Sequence, residues 1–226
     1  MTNKAQFQEI RELIQQMGAK TIIMLTKSIQ ALLANDMDAA LFVRQQEKEV
    51  DALYLVIEKL CANYIASGEQ SEENARFLVA ALKISSELER IADYGNNIAK
   101  LSQDTFPYLD LSMLTTLLGS FEEMALESAS MLKDALKAYE ENDEQLALRV
   151  LAYDKTVNSL HRKIFKGILA LVTVKPWTQE ASLYLHTTVR YLERAADRST
   201  NIAQLVFYVK SGKHYAEIKR RATVND

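Results

Sequence analysis

Glycine, proline and cysteine are scarce in this sequence of 226 residues. Average usage would give roughly 16 glycines and 11 prolines in a chain of this length, whereas the sequence has 6 and 2. Sandwiches, barrels and doubly wound sheets need many turns, and turns depend on these two residue types. The single cysteine, Cys61, excludes an internal disulfide and any site built from several cysteines. These shortages predict an all-α protein of a reducing compartment.

Long apolar runs and an excess of positive charge are also missing. No apolar stretch approaches the roughly 18 residues that a membrane span requires, and the polar start, MTNKAQFQEIREL, lacks the apolar core of a secretory signal. The formal net charge is −3, whereas binding to nucleic acid needs clustered Lys and Arg. We therefore expect an intracellular protein that neither enters a membrane nor binds nucleic acid.

Apolar residues recur every three or four positions along nearly the whole chain, which is typical of amphipathic helices. Residues that end one helix and begin the next cluster at Asn35-Asp36, Ser67-Gly68 with Ser71, Pro107, Asn142-Asp143, and Pro176 with Thr178. The breaks predict six helices, over residues 5–34, 37–66, 72–104, 110–140, 144–171 and 178–210. Short connections between long helices place sequential neighbours antiparallel, as in helical bundles.

A segment of twelve residues occurs twice in the sequence. LERIADYGNNIA begins at Leu88 and LERAADRSTNIA begins at Leu192, an offset of 104, with eight identical positions. The Asn-Asp turn at 35–36 returns at 142–143, an offset of 107. The repeats predict two similar three-helix units, over residues 1–106 and 107–212, related by approximate two-fold symmetry. We expect the polar stretch over 213–226 to form a disordered tail.

Acidic and amide side chains share one face of the helices in each predicted unit. A rotation of about 100° per residue places them opposite the apolar residues. They are Glu47, Asp51, Glu89, Asp93 and Asn97 in the first unit, and Asp154, Asn158, Glu193, Asp197 and Asn201 in the second. Two interpretations are open: the carboxylates are solvated at the surface, or they bind cations. Like charges four residues apart destabilise an isolated helix, so their recurrence favours a neutralising cation with a preference for oxygen ligands.

The sequence resembles the PhoU family of bacterial phosphate-uptake regulators. Three features carry the resemblance: the two Glu-Arg-x-Ala-Asp-x-x-x-Asn-Ile-Ala segments, the acidic stretch on each preceding helix, and the tandem three-helix units. The resemblance extends over residues 5–212. It implies a cytoplasmic, non-enzymatic homodimer that meets the membrane only through its partners. Those partners would be the ATPase of a phosphate ABC transporter and the sensor histidine kinase of the phosphate regulon. The implied activity is repression of phosphate uptake and of the phosphate-starvation response.

The resemblance also implies metal clusters on the outer face of the helices. Its first site would comprise Glu47, Asp51, Glu89 and Asp93, and its second Asp154, Asn158, Glu193 and Asp197. Residues that support these ligands would be Asn97, Asn201, Arg90 and Arg194. The ions would be divalent or trivalent iron, zinc, manganese or magnesium. Asn158 departs from the acid usual in the family, which weakens the expectation for the second site.

Two alternatives to a metal-binding adaptor stay open. A metalloenzyme of the oxidase or hydrolase type also places acids on the long helices of a bundle, and a purely structural bundle would need no metal. The ferritin-like di-iron enzymes require Glu-x-x-His pairs that point into the bundle core. The sequence has no such pair, and its three histidines share no motif. On the strength of the resemblance, we predict a regulatory adaptor rather than an enzyme.

Overall fold

The computed structural model describes residues 3–68, 71–105, 115–174 and 179–224, and within these ranges all regular structure is helical. The described helices are α1 (Asn3–Ala34), α2 (Met37–Ala66), α3 (Glu72–Thr105), α4 (Thr115–Glu141), α5 (Glu144–Val174), α6 (Gln179–Ser211) and α7 (Tyr215–Val224). The all-α fold class is confirmed, and six of these helices match the predicted ones closely. The predicted start of the fourth helix, at 110, lies outside the described residues. No helix within the described ranges is both long and apolar enough to cross a membrane.

The connections after α1 and α4 are built in the same way. Asn35 and Asn142 adopt a left-handed backbone, with φ of 56° and 52°, a conformation that Asn tolerates better than most residues. The following residues, Asp36 and Asp143, cap α2 and α5. In both turns the Asp Oδ1 accepts a hydrogen bond of 2.9 Å from the backbone N–H three residues later. The repeated Asn-Asp pair therefore ends one helix and starts the next.

The arrangement of the helices repeats between the two halves of the chain. Helices α1, α3, α6 and α4 pack around a shared core, while α2 lies against α1 and α3, and α5 lies against α4 and α6. Leu88 on α3 and its counterpart Leu192 on α6 are both completely buried in that core. The described parts of the chain thus form two three-helix units with matching contacts, as the internal repeat predicts.

Direct contacts between α3 and α6 join the two units. The rings of Tyr94 and Tyr191 stack with their centroids 5.6 Å apart. Nearby, Glu87 accepts a hydrogen bond of 2.9 Å from Arg198 Nη1 and another of 3.1 Å from Asn201 Nδ2. Packing between the units is therefore reinforced by a charged hydrogen bond.

The stretch expected to be a disordered tail instead contains α7. Tyr215 at its start contacts Phe207 on α6, with ring centroids 5.0 Å apart, and Ile218 packs against the same core. The two side chains lie one turn apart on α7, so a single face of this polar helix can bury both of them. The sequence analysis did not predict α7, because its contacts depend on where the end of α6 places Phe207.

Candidate carboxylate sites

Helices α2 and α3 bring the first predicted group of carboxylates together. Glu47 and Asp51 lie one turn apart on α2, and Glu89 and Asp93 lie one turn apart on α3, all four partly buried. Burial raises the pKa of Asp51, and the charge of Asp93 raises it further. The pKa of Glu89 is raised by burial first, then by the charge of Asp93, with smaller contributions from Asp51 and Glu47. The four charges therefore act on one another across the two helices.

Arg90 compensates only a small part of the negative charge of this group. Arg90, predicted to support it, lies with its Nε 4.0 Å from Glu89 Oε2 and lowers the pKa of that carboxyl. Its side chain is 59% exposed, and an ion pair in that setting contributes little to stability. Arg90 thus leaves most of the charge of Glu89 for a bound cation to neutralise.

Asn96 is a member of the first group that the sequence analysis missed. Its side chain is 4% exposed, and its Nδ2 donates a hydrogen bond of 2.8 Å to Glu47 Oε1. The prediction named Asn97 instead, which is partly buried and forms no side-chain hydrogen bond with the described residues. Asn96 follows Glu89 by seven residues, nearly two full helical turns, and this spacing is the signal that would have identified it.

Helices α5 and α6 bring the second predicted group together in the same manner. Burial is the main cause of the raised pKa of Asp154, which the hydrogen bond from Asn158 opposes and the charge of Glu193 increases. The pKa of Asp197 is also raised, by burial first and then by the charges of Glu193 and Asp154. Arg194 is among the cations that lower the pKa of Asp197. All four predicted ligands therefore belong to one electrostatic cluster.

The second group differs from the first in its hydrogen bonds. Asn158 Nδ2 donates to Asp154 Oδ2 at 2.7 Å within α5, whereas the amide of the first group, Asn96, donates from α3 to a carboxylate of α2. Thr200 holds the position of Asn96 but donates to the backbone oxygen of Asp197, on its own helix. Asn201, predicted to support this site, donates instead to Glu87 in the other unit. The second group is therefore less anchored between its two helices.

The donor chemistry of both groups fits a hard or borderline cation. Carboxylate and amide oxygens are the ligands that such ions prefer, and the shared negative charge would assist binding. In the described part of the chain, no three His, Cys, Asp or Glu side chains are placed so that they could hold a metal ion as they stand. Binding would thus require the carboxylates to turn toward a common point.

Two histidines that the sequence left unconnected also meet beside the second group. The rings of His161 on α5 and His186 on α6 stack with centroids 6.3 Å apart, and Phe165 lies 5.0 Å from the ring of His186. Burial lowers the pKa of His186, and the positive charges of His161 and Arg190 lower it further. Neither histidine is paired with a glutamate in the pattern of a di-iron enzyme.

Comparisons with known proteins agree with this fold and these motifs. The family model described as PhoU domain matches residues 14–102 and 121–206, one match in each unit. The phosphate-specific transport system accessory protein PhoU homolog of Zymomonas mobilis is 31% identical over 211 residues, which span 93% of this chain and 87% of that protein. The phosphate-specific transport system accessory protein PhoU of Escherichia coli K12 is 26% identical over 214 residues, covering 95% of this chain and 87% of that protein.

Among solved structures, PhoU from Pseudomonas aeruginosa superimposes with a TM-score of 0.85 at 23% sequence identity, and the match covers 94% of this chain and all of that one. PhoU from Streptococcus pneumoniae gives a TM-score of 0.81 at 21% identity, with 94% of this chain and 99% of that chain covered. At these identities the superpositions establish the shared fold. Because the family model matches most of both units and a relative 31% identical spans 93% of the sequence, this chain belongs to the PhoU domain family.

Proposed function

We propose that this protein is an accessory regulator of phosphate-specific transport, which represses phosphate uptake and the phosphate-starvation response when phosphate is plentiful. The observation that carries the proposal is the pair of PhoU-domain matches, one in each three-helix unit. The relatives in Zymomonas mobilis and Escherichia coli are named for that accessory role. Their alignments extend over nearly the whole chain, so the role is transferred to the complete two-unit fold.

We infer that the protein acts as a cytoplasmic, homodimeric adaptor without an activity of its own. Its partners would be the ATPase of the phosphate ABC transporter and the sensor histidine kinase of the phosphate regulon. The outer helices α2 and α5 expose large apolar side chains, among them Leu41, Leu55 and Leu169, which are 53%, 60% and 57% exposed. Exposed apolar side chains of this kind are suited to protein contacts, which supports docking through the outer helices.

The two carboxylate groups would bind divalent or trivalent cations, such as iron, zinc, manganese or magnesium. The support for this part of the proposal is electrostatic. Several carboxylates are held together under partial burial, and the pKa values of Asp51, Glu89, Asp154 and Asp197 are raised. Burial is the main cause of each raised pKa and repulsion between the carboxylates adds to it, and a bound cation would offset both. Arg90 and Arg194 would then hold the neighbouring carboxylates in position.

Deletion of the gene tests the regulatory role. Phosphate-starvation genes in phosphate-rich medium are expected to be expressed strongly in the deletion strain and weakly again after complementation. Expression that stays low in the deletion strain would contradict the proposal. A pull-down with the purified protein addresses the metalloenzyme alternative, because an adaptor is expected to retain the transporter ATPase or the kinase, whereas a free-standing enzyme is not.

Metal content distinguishes the metal-binding adaptor from a metal-free structural bundle. Elemental analysis of the protein purified without chelator is expected to find bound metal. The double variant Glu89→Gln, Glu193→Gln removes one carboxylate from each group and is expected to retain less metal than the parent. A matched variant, Glu58→Gln, changes an exposed acid of α2 outside both groups. An equal metal content in all three proteins would contradict the assignment of the sites.

A further inference from the structure

An open cavity of about 400 Å³ lies between α2 and α3, beside the first carboxylate group. Three cationic side chains line it: Arg44 and Lys48, one turn apart on α2, and Lys100 on α3. Glu47 and the buried Asn96 line the same cavity. It therefore combines a cluster of positive charge with a single fixed carboxylate.

The three cations are not neutralised by ion pairs within the part of the chain that the structure describes. Arg44 Nη1 donates a hydrogen bond of 3.1 Å to Gln103, which is neutral. Neither Arg44, Lys48 nor Lys100 takes part in an ion pair with any other described residue. The cluster lies in the more acidic half of the chain, where residues 1–106 carry 11 basic and 15 acidic side chains, a net charge of −4. Among the described residues that line the cavity, three are cations and one, Glu47, is a carboxylate, and an anion would neutralise the excess positive charge.

The second unit does not repeat this cluster. At the offsets of the internal repeat, Arg44 corresponds to Leu151, Lys48 to Lys155 and Lys100 to Gln204. Two of the three cations are therefore absent from the second unit, although acidic groups occur in both units. The positive cavity is therefore a property of the first unit and not a by-product of the fold.

Glu47 restricts the anion that the cavity can accept. Asn96 holds Glu47 Oε1 through the hydrogen bond of 2.8 Å, so the carboxylate is fixed at the cavity wall. An ionised carboxylate accepts hydrogen bonds and donates none. It repels an anion without a hydrogen, whereas an anion with an acidic hydrogen can donate that hydrogen to it. The cavity thus selects among anions: the three cations attract any anion, and the carboxylate of Glu47 repels an anion that has no hydrogen to donate.

We propose that this cavity binds an oxyanion that carries a hydrogen, of which inorganic hydrogen phosphate is the simplest example. Arg44, Lys48 and Lys100 would bind the charged oxygens, and Glu47 would accept the hydrogen of the remaining hydroxyl. Fully ionised sulfate has the same tetrahedral shape but no hydrogen to donate. This site goes beyond the proposed regulatory role, because it gives the protein a ligand of its own independent of any partner.

Calorimetry with the full-length protein tests the proposal. The protein is first freed of metal by chelation and dialysis, since Glu47 also belongs to the first carboxylate group. It is then titrated with inorganic phosphate, and separately with sulfate, at low ionic strength, where surface charges are least screened. We expect saturable binding of phosphate and about tenfold weaker binding of sulfate, the scale of one hydrogen bond to a charged group.

Lys48→Gln and Lys155→Gln form a matched pair of variants, because the two lysines are exposed and occupy equivalent positions in the two units. Lys48→Gln is expected to weaken phosphate binding about tenfold, through loss of a charged hydrogen bond, and Lys155→Gln to leave it unchanged. Lys100→Gln is expected to act as Lys48→Gln does. Circular dichroism verifies that every variant is folded.

Three results would overturn the site: no saturable heat with phosphate, equal affinities for sulfate and phosphate, or equal losses in Lys48→Gln and Lys155→Gln. Failure of the regulatory role is a separate outcome, because it is measured by gene expression in the deletion strain. Phosphate can bind to a protein that does not regulate transport, and a regulator can lack this cavity site.

Discussion

Asn96 on α3 holds Glu47 on α2 through a hydrogen bond of 2.8 Å, whereas Thr200, its counterpart on α6, is bonded to its own helix. The same two helices of each unit are thus tied together by a buried amide in one unit only. This asymmetry distinguishes two carboxylate groups that the repeated sequence motif makes look alike.

Replacement of Asn96 by Ala is expected to lower the free energy of unfolding by about 1–2 kcal/mol, because a buried hydrogen bond to a charged group is lost. The value lies at the low end for such bonds, since Asn96 Oδ1 has no partner among the described residues and its removal relieves an unsatisfied acceptor. Denaturant unfolding of the metal-free protein measures the change. Thr200→Ala is the matched control and is expected to lower the free energy of unfolding by a smaller amount. Equal decreases in the two variants would contradict a specific stabilising role for the Asn96–Glu47 bond.

Asp93→Asn is expected to stabilise the metal-free protein at pH 7, with a rise in Tm of about 1–3 °C, the scale of a fraction of a kcal/mol. Burial is the main cause of the raised pKa of Asp51 and of Glu89, and the charge of Asp93 raises both further. A raised pKa in the folded state means that the ionised carboxyl opposes folding, and this penalty is present above the folded pKa and absent below the unfolded one. The gain is therefore expected to shrink toward pH 3.

Thermal unfolding in the presence of a chelator measures this effect. Glu58→Gln removes a charge from an exposed position of α2 outside the group and is expected to change Tm less. A lower Tm for Asp93→Asn than for the parent at pH 7 would mean that the carboxylates do not repel one another in the folded protein.

Most of the fold follows from local sequence signals. The left-handed Asn and the capping Asp at 35–36 and 142–143 fix two connections, and the apolar period identifies the core faces of the helices they join. The side chain of Ser71 caps α3 as expected, accepting a hydrogen bond of 3.2 Å from the Asn74 N–H. These features could be predicted because each depends on residues within one turn of the chain.

The features that the sequence did not predict depend on contacts between distant helices. Asn96 reaches Glu47 from another helix, and α7 is placed by Phe207 on α6. The cations of the phosphate cavity are unremarkable surface residues until α2 and α3 are packed, when Lys100 joins Arg44 at the same cavity. A helical wheel describes one helix at a time and cannot contain these relationships.

Asn142→Ala is expected to lower the free energy of unfolding by about 1 kcal/mol. Asn142 has a φ of 52°, and this left-handed backbone is more costly for Ala than for Asn, whose polar side chain can form local hydrogen bonds. Asn142→Gly keeps access to that conformation and is expected to retain the parent stability. Chemical denaturation of both variants measures the difference. Equal destabilisation by Ala and Gly would show that the Asn side chain, and not the backbone conformation, stabilises this turn.

The two carboxylate groups are expected to differ in their affinity for metal. The first offers four carboxylates, Glu47, Asp51, Glu89 and Asp93, whereas Asn158 reduces the second to three. Attraction between a cation and a carboxylate near a protein surface amounts to a few kcal/mol at contact, and a neutral amide supplies less. Each group also has one carboxylate oxygen that accepts an amide hydrogen, Glu47 Oε1 from Asn96 and Asp154 Oδ2 from Asn158, so the number of charges is what distinguishes the two sites.

Asn158→Asp is therefore expected to strengthen the second site by about tenfold or more, the effect of one additional charge at a contact worth at least 1.4 kcal/mol. Asp93→Asn is expected to weaken the first site by a similar factor. Calorimetric titration of the chelated variants with a divalent cation measures both changes, and mild chelation of the loaded parent is expected to empty the second site first. Equal affinities of the two sites in the parent, or an unchanged affinity in Asn158→Asp, would show that charge count does not set metal binding, because the variant gives the second site the same four carboxylates as the first.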